Sequence, residues 1–481
     1  MRMFSAFYKE EKDMEKEKVT EYKEPAGEML PKEKSGISLP VKIGYVAAAA
    51  ALSVILMYVP QFIQIYYTDV IGISATTIAT ILLVTKLVDG ISDILMGAIV
   101  DRTKTRIGKA RPWILAGGIG SGISLFLLFC VPDSLGTTGI IVFCTATYFL
   151  TCPFFGTILS VAEGAIIPMI SDKEKGRTVL GLIHSFVLII ITILVSVVTP
   201  VIVSAMGESK ATYTAVTAVY AVLTVVAAVV GTVMLRENRR LNAEGEKKTE
   251  TKIPLKTTVT HLIKNKYFIL FALGAIFYNV ALVPGASNYY AKYIFGDLSY
   301  ASVFVLCSGV SYVLLFFVGK IRKLCKLRTL FTIGFLIMAA GSILTFFAYD
   351  SLILVIISMV MRGVGALPFL AYAAPLNGYI CDYTLSKTGF NMDGSVYSGF
   401  SMGGKIGTGL GSAAVGWVIG LMGYVGTETV QTASAIMGIR LVNSVVPLIF
   451  SLLAALCFSQ IKVEDEIPEI QKNIKERGLR A

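Results

Sequence analysis

Long apolar runs separated by short polar breaks cover the chain from about residue 43 to residue 460. Runs such as 114–131 and 187–203 hold no charged residue and are long enough to cross a bilayer as helices. A spanning helix also satisfies its own backbone hydrogen bonds in lipid. We therefore predict an all-α, polytopic membrane protein with twelve transmembrane helices in two six-helix halves. The predicted spans 1 to 12 are 43–67, 74–100, 112–131, 138–168, 178–203, 212–235, 266–294, 298–318, 328–348, 351–379, 394–423 and 431–460.

Polar segments divide these spans into domains. We predict a charged cytoplasmic tail over 1–40, a six-helix bundle over 41–235, a cytoplasmic linker over 236–265, a second bundle over 266–460 and a cytoplasmic tail over 461–481. The two halves place a basic loop at the same position, after their second helix. Two similar halves around a cavity are a common transporter plan, although any even set of helices alternates its basic loops.

Basic residues set the predicted orientation, because Lys and Arg concentrate in cytoplasmic loops. The loops after spans 2, 6 and 8 are basic, whereas the opposite loops carry mainly acids. Both termini should then be cytoplasmic, with the protein in the plasma membrane. The basic loops hold Arg102, Lys104, Arg106, Lys109, Arg111, Arg236, Arg239, Arg240, Lys247, Lys248, Lys320, Arg322, Lys323, Lys326 and Arg328, and the opposite loops hold Asp69, Asp133, Glu208, Asp297, Asp350 and Glu428.

Composition supports the membrane assignment and excludes several function classes. The 481 residues are 55% hydrophobic and 16% charged, against about 25% charged in soluble domains. The net charge of +11 is spread over alternate loops, so we predict no nucleic-acid partner. Two His argue against a His-rich metal site, and seven Cys without a CxxC pair show no disulfide spacing. No catalytic set or nucleotide-binding P-loop is present, so we predict a non-enzyme without a cofactor.

The most informative polar residues lie in span 2. Spacings of three and four place Lys86, Asp89 and Asp93 on one helix face. Two carboxylates one turn apart repel, and a bound Na⁺, Li⁺ or H⁺ removes that cost. We therefore predict a cation site at Asp89 and Asp93; the alternative is a structural ion pair of Lys86 with Asp89. Lys405, in glycine-rich span 11, is the predicted partner that competes with the cation for these carboxylates; the alternative is a purely structural pairing.

Other polar residues in the spans are candidates for solute binding. Arg362 in span 10 has a fork of donors for a hydroxyl or carboxylate, or it pairs with Glu163 or a backbone carbonyl. Arg440 in span 12 favours a structural role, and His184 favours packing over proton transfer. Asn279 offers an amide to a sugar. For Tyr67 and Tyr289, anchoring at the membrane interface is the favoured interpretation.

Several motifs resemble the glycoside–pentoside–hexuronide:cation symporters of the major facilitator superfamily. They are Tyr66-Tyr67-Thr68-Asp69-Val70, Lys86-Leu87-Val88-Asp89-Gly90-Ile91-Ser92-Asp93, Asp101-Arg102-Thr103-Lys104 and Gly108-Lys109-Ala110-Arg111-Pro112-Trp113, and the resemblance continues through Asp382-Tyr383, Lys387-Thr388-Gly389, Tyr397-Ser398, Lys405 and Gly423-Tyr424. The resemblance implies that Asp89, Asp93 and Thr157 bind the cation and that Lys405 pairs with that site.

The sugar site departs from the pattern of melibiose-permease-like members. Those members carry Asp where this chain has Ser53 and Ser160, Trp where it has Gly164, and Arg near His184. We therefore predict a different solute site, drawn from Ser53, Ser160, Glu163, His184, Asn279, Arg362 and Ser401.

Together these observations predict cation-coupled symport of a sugar or glycoside by alternating access. The expected partners are the solute, the coupling cation and the bilayer. Two alternatives remain open at this point: a carrier of lysolipids or other amphipaths with the same fold, and a non-transporting membrane receptor.

Overall fold

A computed structural model describes residues 37–171, 174–237, 255–390, 392–428, 430–477 and 479. Most of the predicted tail 1–40 and of the predicted linker 236–265 therefore lies outside the described residues. The described part is helical and contains no β-strand beyond one isolated bridge between Thr105 and Gly108. The fold class predicted from the apolar runs is confirmed.

Helices cover each of the twelve predicted spans. In the first half they are Leu39–Ile65 with a π-helical end Tyr66–Val70, Ala75–Arg102, Arg111–Phe129, Thr137–Phe149 with a π segment Leu150–Gly156 and then Thr157–Ile170, Glu174–Met206, and Lys210–Met234. In the second half they are Lys266–Ala281 with Ala286–Ile294, Tyr300–Val310 with Ser311–Leu314 and Leu315–Arg322, Leu327–Ala348, Leu352–Thr388, Asp393–Leu421, and Ala433–Ser459. Short helices Leu255–Lys264, Val463–Glu466 and Ile467–Glu476 flank the second half.

Nine helices of the described residues are long and apolar enough to cross a membrane. Spans 2, 8 and 11 do not meet that criterion, although each is helical. Span 2 carries the charged residues Lys86, Asp89 and Asp93, span 11 is rich in glycine, and span 8 is broken into short pieces. The chain is a multi-pass membrane protein, and the number of twelve crossings stays a prediction.

Local sequence explains where the helices begin. Ser74, Ser209 and Thr432 each accept a hydrogen bond from the backbone N–H three residues later. Asn265 caps the helix Lys266–Ala281 in the same way. Such side-chain caps satisfy donors that have no partner within the helix.

Two helices are interrupted where they approach the centre of the molecule. The π segment of span 4 contains Pro153. Proline lacks the N–H that a regular helical turn needs, so the α-helical hydrogen-bond pattern is interrupted here. Span 7 breaks at Val283-Pro284-Gly285, where Gly285 adopts φ +82°. A Cβ at Gly285 would lie 3.2 Å from the backbone oxygen of Gln61, so span 7 runs close against span 1. Broken helices of this kind line binding sites in transporters.

Equivalent carboxylates fasten the basic-loop end of each half. Glu237, after span 6, accepts hydrogen bonds from the backbone N–H groups of Lys109, Ala110 and Arg111 at 2.7, 2.9 and 3.1 Å. Glu464, after span 12, accepts one from Leu327 N–H at 2.7 Å. Each acid thus caps the third helix of its own half, where the helix dipole favours negative charge.

Candidate transport site

A cluster of four charged side chains joins the two halves. On span 2, the Lys86 ammonium lies 3.2 Å from Asp89 Oδ2. On span 11, the Lys405 ammonium lies 3.2 Å from Asp89 Oδ1 and 2.5 Å from Asp93 Oδ2. The three charges predicted on one face of span 2 are therefore brought together, and the two carboxylates among them do contact the lysine of span 11. Two lysines and two aspartates make the cluster formally neutral.

Hydroxyl groups complete the surroundings of Asp89. Thr157 Oγ1 donates to Asp89 Oδ1 at 2.7 Å, and Ser92 Oγ lies 3.2 Å from Thr157 Oγ1. Asp89 is buried, whereas the Asp93 side chain is 29% exposed. Asp93 Oδ1 is buried and has no hydrogen-bond partner in the described structure. The carboxylates thus keep lone-pair capacity beyond what Lys405 uses.

Three members of the cluster, Lys86, Asp89 and Lys405, form part of the wall of a cavity of about 640 Å³ between the halves, whereas Asp93 is not among its lining residues. Of the predicted solute residues, Ser160, Asn279 and Ser401 line it, as do Asp89, Thr157 and Lys405 of the predicted cation site. The wall is formed by Leu52, Ile55, Leu56, Met57, Pro60, Gln61, Lys86, Asp89, Cys152, Gly156, Thr157, Ser160, Thr192, Ser196, Asn279, Leu282, Val283, Pro284, Gly285, Ser287, Val305, Ser401, Gly404, Lys405 and Thr408.

The cavity also has polar residues that were not among the predicted site residues. Ser196 donates to Gln61 Oε1 at 2.7 Å, and Thr192 lies one turn earlier on the same span. Ser287 and Thr408 line the cavity from the opposite half. The sequence signal that points to Thr192 and Ser196 is their spacing of four, which places both hydroxyls on one face of span 5.

Four predicted solute residues lie off the cavity wall. Ser53 Oγ donates to Ala49 O at 2.7 Å within its own helix. Glu163 and His184 pair with each other, with Oε1 and Nδ1 3.0 Å apart. Arg362 donates to the backbone oxygens of Asn443 and Ala281 at 3.3 and 3.4 Å, the carbonyl alternative that the sequence left open.

Two further interpretations can be compared with the structure. Arg440 donates to Phe346 O at 2.8 Å and stacks on the Tyr349 ring, as expected for a structural role. Interface anchoring is wrong for Tyr67 and Tyr289, which are both buried. The Tyr67 hydroxyl donates to Leu128 O at 3.1 Å, so this ring packs between helices and does not face the lipid surface.

A polar network closes the cavity at the end that carries Asp69. The Asp69 carboxylate of the first half accepts from Lys292 at 2.5 Å and Tyr293 at 2.8 Å, and it also bonds Tyr424. Thr68 Oγ1 lies 2.9 Å from the Tyr289 hydroxyl. We call these six residues the Asp69 network. Thr68 and Asp69 belong to the first half and the other four residues to the second half, so these hydrogen bonds join the two halves.

Spans 2 and 11 lie close together between the Asp69 end and the charged cluster. A Cβ placed on Gly416 would lie 2.4 Å from Ala75 O, and one on Gly409 would lie 2.9 Å from Lys86 Cβ. Farther along, a Cβ on Gly97 or Gly394 would meet no atom within 4 Å. The two halves are therefore in tight contact from the Asp69 end to the charged cluster, whereas Gly97 and Gly394 beyond it face open space.

Sequence comparison places the chain in a family. The profile of the family described as MFS/sugar transport protein matches residues 44–465. The chain belongs to this family. It is thus a major facilitator transporter and not an enzyme, in agreement with the fold, the resemblance and the lack of a catalytic set.

Curated relatives cover most of this transporter. It is 26% identical to the glucuronide carrier protein homolog of Escherichia coli (strain K12), over 82% of the chain and 86% of that protein. It is 26% identical to the putative glycoside/cation symporter YagG of the same organism, over 86% and 89%. It is 24% identical to the isoprimeverose transporter of Lactiplantibacillus pentosus, over 88% and 89%.

Solved structures share the fold of this transporter. The D-xylose-proton symporter matches with a TM-score of 0.58 and 13% identity, covering 88% of this chain and 97% of that chain. The nucleoside transporter NupG matches with a TM-score of 0.58 and 14% identity, covering 88% and 98%. At these identities the match establishes the major facilitator fold alone.

The geometry gives the transporter a specific chemical capacity. Asp89 and Asp93 belong to the first half, and Lys405, which bridges them, belongs to the second half. Any small cation that binds these carboxylates must compete with a lysine carried by the other half. The same contact therefore bears on ion binding and on how the halves are held together.

Proposed function

We propose that this protein is a cation-coupled symporter for a neutral sugar or glycoside. The observation that carries the proposal is the bridge from Lys405 to Asp89 and Asp93, of which Lys405 and Asp89 line the cavity between the halves. The names of the relatives, among them a glycoside/cation symporter and an isoprimeverose transporter, support a glycoside and a cation as cargo.

Competition at the carboxylates supplies a coupling mechanism. When Na⁺ or H⁺ binds Asp89 and Asp93, it replaces the ammonium of Lys405 and releases span 11 from span 2. When the cation leaves, Lys405 returns and neutralises charges that would be costly in the membrane. Cation occupancy thus changes the free energy of the contact between the halves, which then rock around the site.

The cavity suits an uncharged, hydroxylated solute. Its volume of about 640 Å³ lies within the usual range for small-molecule sites. Its charged lining residues are paired with one another, and Arg362 points its donors at backbone oxygens instead of the cavity. Ser160, Asn279 and Ser196 offer hydroxyl and amide groups to a sugar.

The positive-inside rule gives the orientation of the protein in the membrane. The basic-loop end faces the cytoplasm, both termini are cytoplasmic, and the protein resides in the plasma membrane. The arrangement described here, closed at the Asp69 end, is then an inward-facing state in which Lys405 bridges Asp89 and Asp93.

A transport assay tests the function. Right-side-out vesicles containing the protein are given radiolabelled isoprimeverose, lactose, a glucuronide or a lysolipid, with a Na⁺ gradient, a pH gradient or neither. We expect one gradient to stimulate uptake of a neutral glycoside at least severalfold over vesicles that lack the protein. Preferred uptake of the glucuronide would contradict a neutral solute, and preferred uptake of the lysolipid would support an amphipath carrier. Binding without uptake of any probe would support a receptor.

A further inference from the structure

Two buried amides lie between the cavity and the Asp69 network. Gln64 on span 1 and Asn288 on span 7 are both 0% exposed. Neither Gln64 Oε1 nor Gln64 Nε2 has a hydrogen-bond partner in the described part of the chain, and Asn288 Oδ1 has none either. Buried amide groups are usually hydrogen-bonded, so three orphaned atoms in one layer call for a physical reason.

The position of this amide layer is set by its neighbours along span 1. Gln61, three residues before Gln64, lines the cavity, and Thr68, four residues after it, belongs to the Asp69 network. Gln64 thus lies on the line from the cavity to the closed end. On span 7, Ser287 lines the cavity directly before Asn288.

Both amides lie at the contact between the halves. Gln64 Nε2 is 2.6 Å from the point where a Cβ on Gly416 of span 11 would stand. Asn288 Nδ2 donates to the backbone oxygen of Gln61 at 2.6 Å. Gln64 Nε2 is therefore covered by span 11 of the opposite half, and the Asn288 amide is held against span 1 of the opposite half. Both amides would be uncovered if the halves parted at the Asp69 end.

We propose that Gln64 and Asn288 form a second sugar subsite, available only when the Asp69 end is open. This inference rests on the proposed sugar symport. An amide both donates and accepts, as does a sugar hydroxyl, so each can satisfy the other. An orphaned buried polar group lowers the population of the state that holds it by roughly 5- to 100-fold. The amide layer therefore weakens closure at the Asp69 end and receives solute when that end opens.

Sided kinetics test the subsite. For Gln64→Leu, we expect KM for the glycoside that the wild type transports best to rise at least fivefold in right-side-out vesicles, where solute reaches the Asp69 end. In inside-out vesicles, KM should stay within twofold of the wild type. Ser451→Ala is the matched control, because Ser451 Oγ is also buried without a partner but lies in span 12. It should change neither KM. An unchanged KM at both faces, or an equal rise at both, would overturn the subsite.

A second measurement does not depend on knowing the solute. Gln64→Cys in right-side-out vesicles is exposed to a membrane-impermeant maleimide, and labelling at residue 64 is quantified by mass spectrometry. We expect labelling at least tenfold above that of Ser451→Cys. Labelling no greater than in Ser451→Cys would refute a pathway through the amide layer. If the wild type transports no sugar but residue 64 is labelled, the proposed solute class fails while the pathway stands.

Discussion

Replacing Lys405 with Met should increase the affinity of the charged cluster for Na⁺ by about tenfold. The substitution removes one of two lysines that neutralise two aspartates, so the cluster changes from formally neutral to −1. Two unit charges about 4 Å apart attract by about 1 kcal/mol in water and about 4 kcal/mol near a protein surface. Lys405 and Asp93 are 23% and 29% exposed, so the lower part of that range applies. About 1.4 kcal/mol corresponds to tenfold.

A Na⁺ titration of thermal stability measures this affinity in purified protein. A ligand that binds only the folded state raises Tm with its concentration, and the midpoint of that rise gives the apparent Na⁺ affinity. Lys405→Met should move the midpoint to about tenfold lower Na⁺. Lys405→Arg keeps the positive charge and should leave the midpoint near the wild-type value.

The result for Lys405→Met also separates competition from simple structural pairing. If Lys405 only holds span 2 to span 11, its loss should lower Tm without moving the Na⁺ midpoint. A midpoint that stays the same, or rises, would therefore refute competition between the lysine and the cation. Sugar uptake by this variant should fall, because the cation no longer releases a contact between the halves.

Two other variants test the ends of the molecule. Asp69→Asn removes the charge that holds the Asp69 network together, so maleimide labelling of Gln64→Cys from the Asp69 side should increase several-fold; unchanged labelling would show that the network does not keep this end closed. Glu237→Gln weakens the cap on span 3 by about 1–2 kcal/mol and should lower Tm by a few degrees, whereas the exposed Glu469→Gln should not change it; equal Tm values would refute the cap.

Some parts of the site could be predicted because they depend on spacing along one helix. The i, i+3 and i+7 positions of Lys86, Asp89 and Asp93 place them on one face whatever surrounds span 2. A buried charge also requires a partner, which made Lys405 the expected counterpart. The helices themselves could be predicted from the length of the apolar runs, because the thickness of the bilayer sets the length of a span.

Other parts depend on how each helix is rotated against its neighbours, which periodicity does not report in helices that are apolar on all sides. The sequence left open whether Arg362 binds the solute or a backbone carbonyl. The packing of span 10 against Asn443 and Ala281 decides for the carbonyls. Tyr67 and Tyr289 lie near helix ends, where tyrosines often face the interface. Here Tyr67 is buried with its hydroxyl bonded to Leu128 O of span 3, and Tyr289 is buried with its hydroxyl against Thr68 of span 1.

The most direct test of coupling is the effect of the cation on solute affinity in the wild type and in Asp93→Asn. Binding of the transported glycoside is measured by calorimetry with and without saturating Na⁺, at two pH values. If Asp89 and Asp93 couple the ion to the solute, the cation should tighten glycoside binding in the wild type by a factor of roughly 5 to 150, and the glycoside should tighten cation binding by the same factor. Asp93→Asn, although inserted and folded, should lose both effects. A cation effect of full size in Asp93→Asn would contradict coupling through these carboxylates.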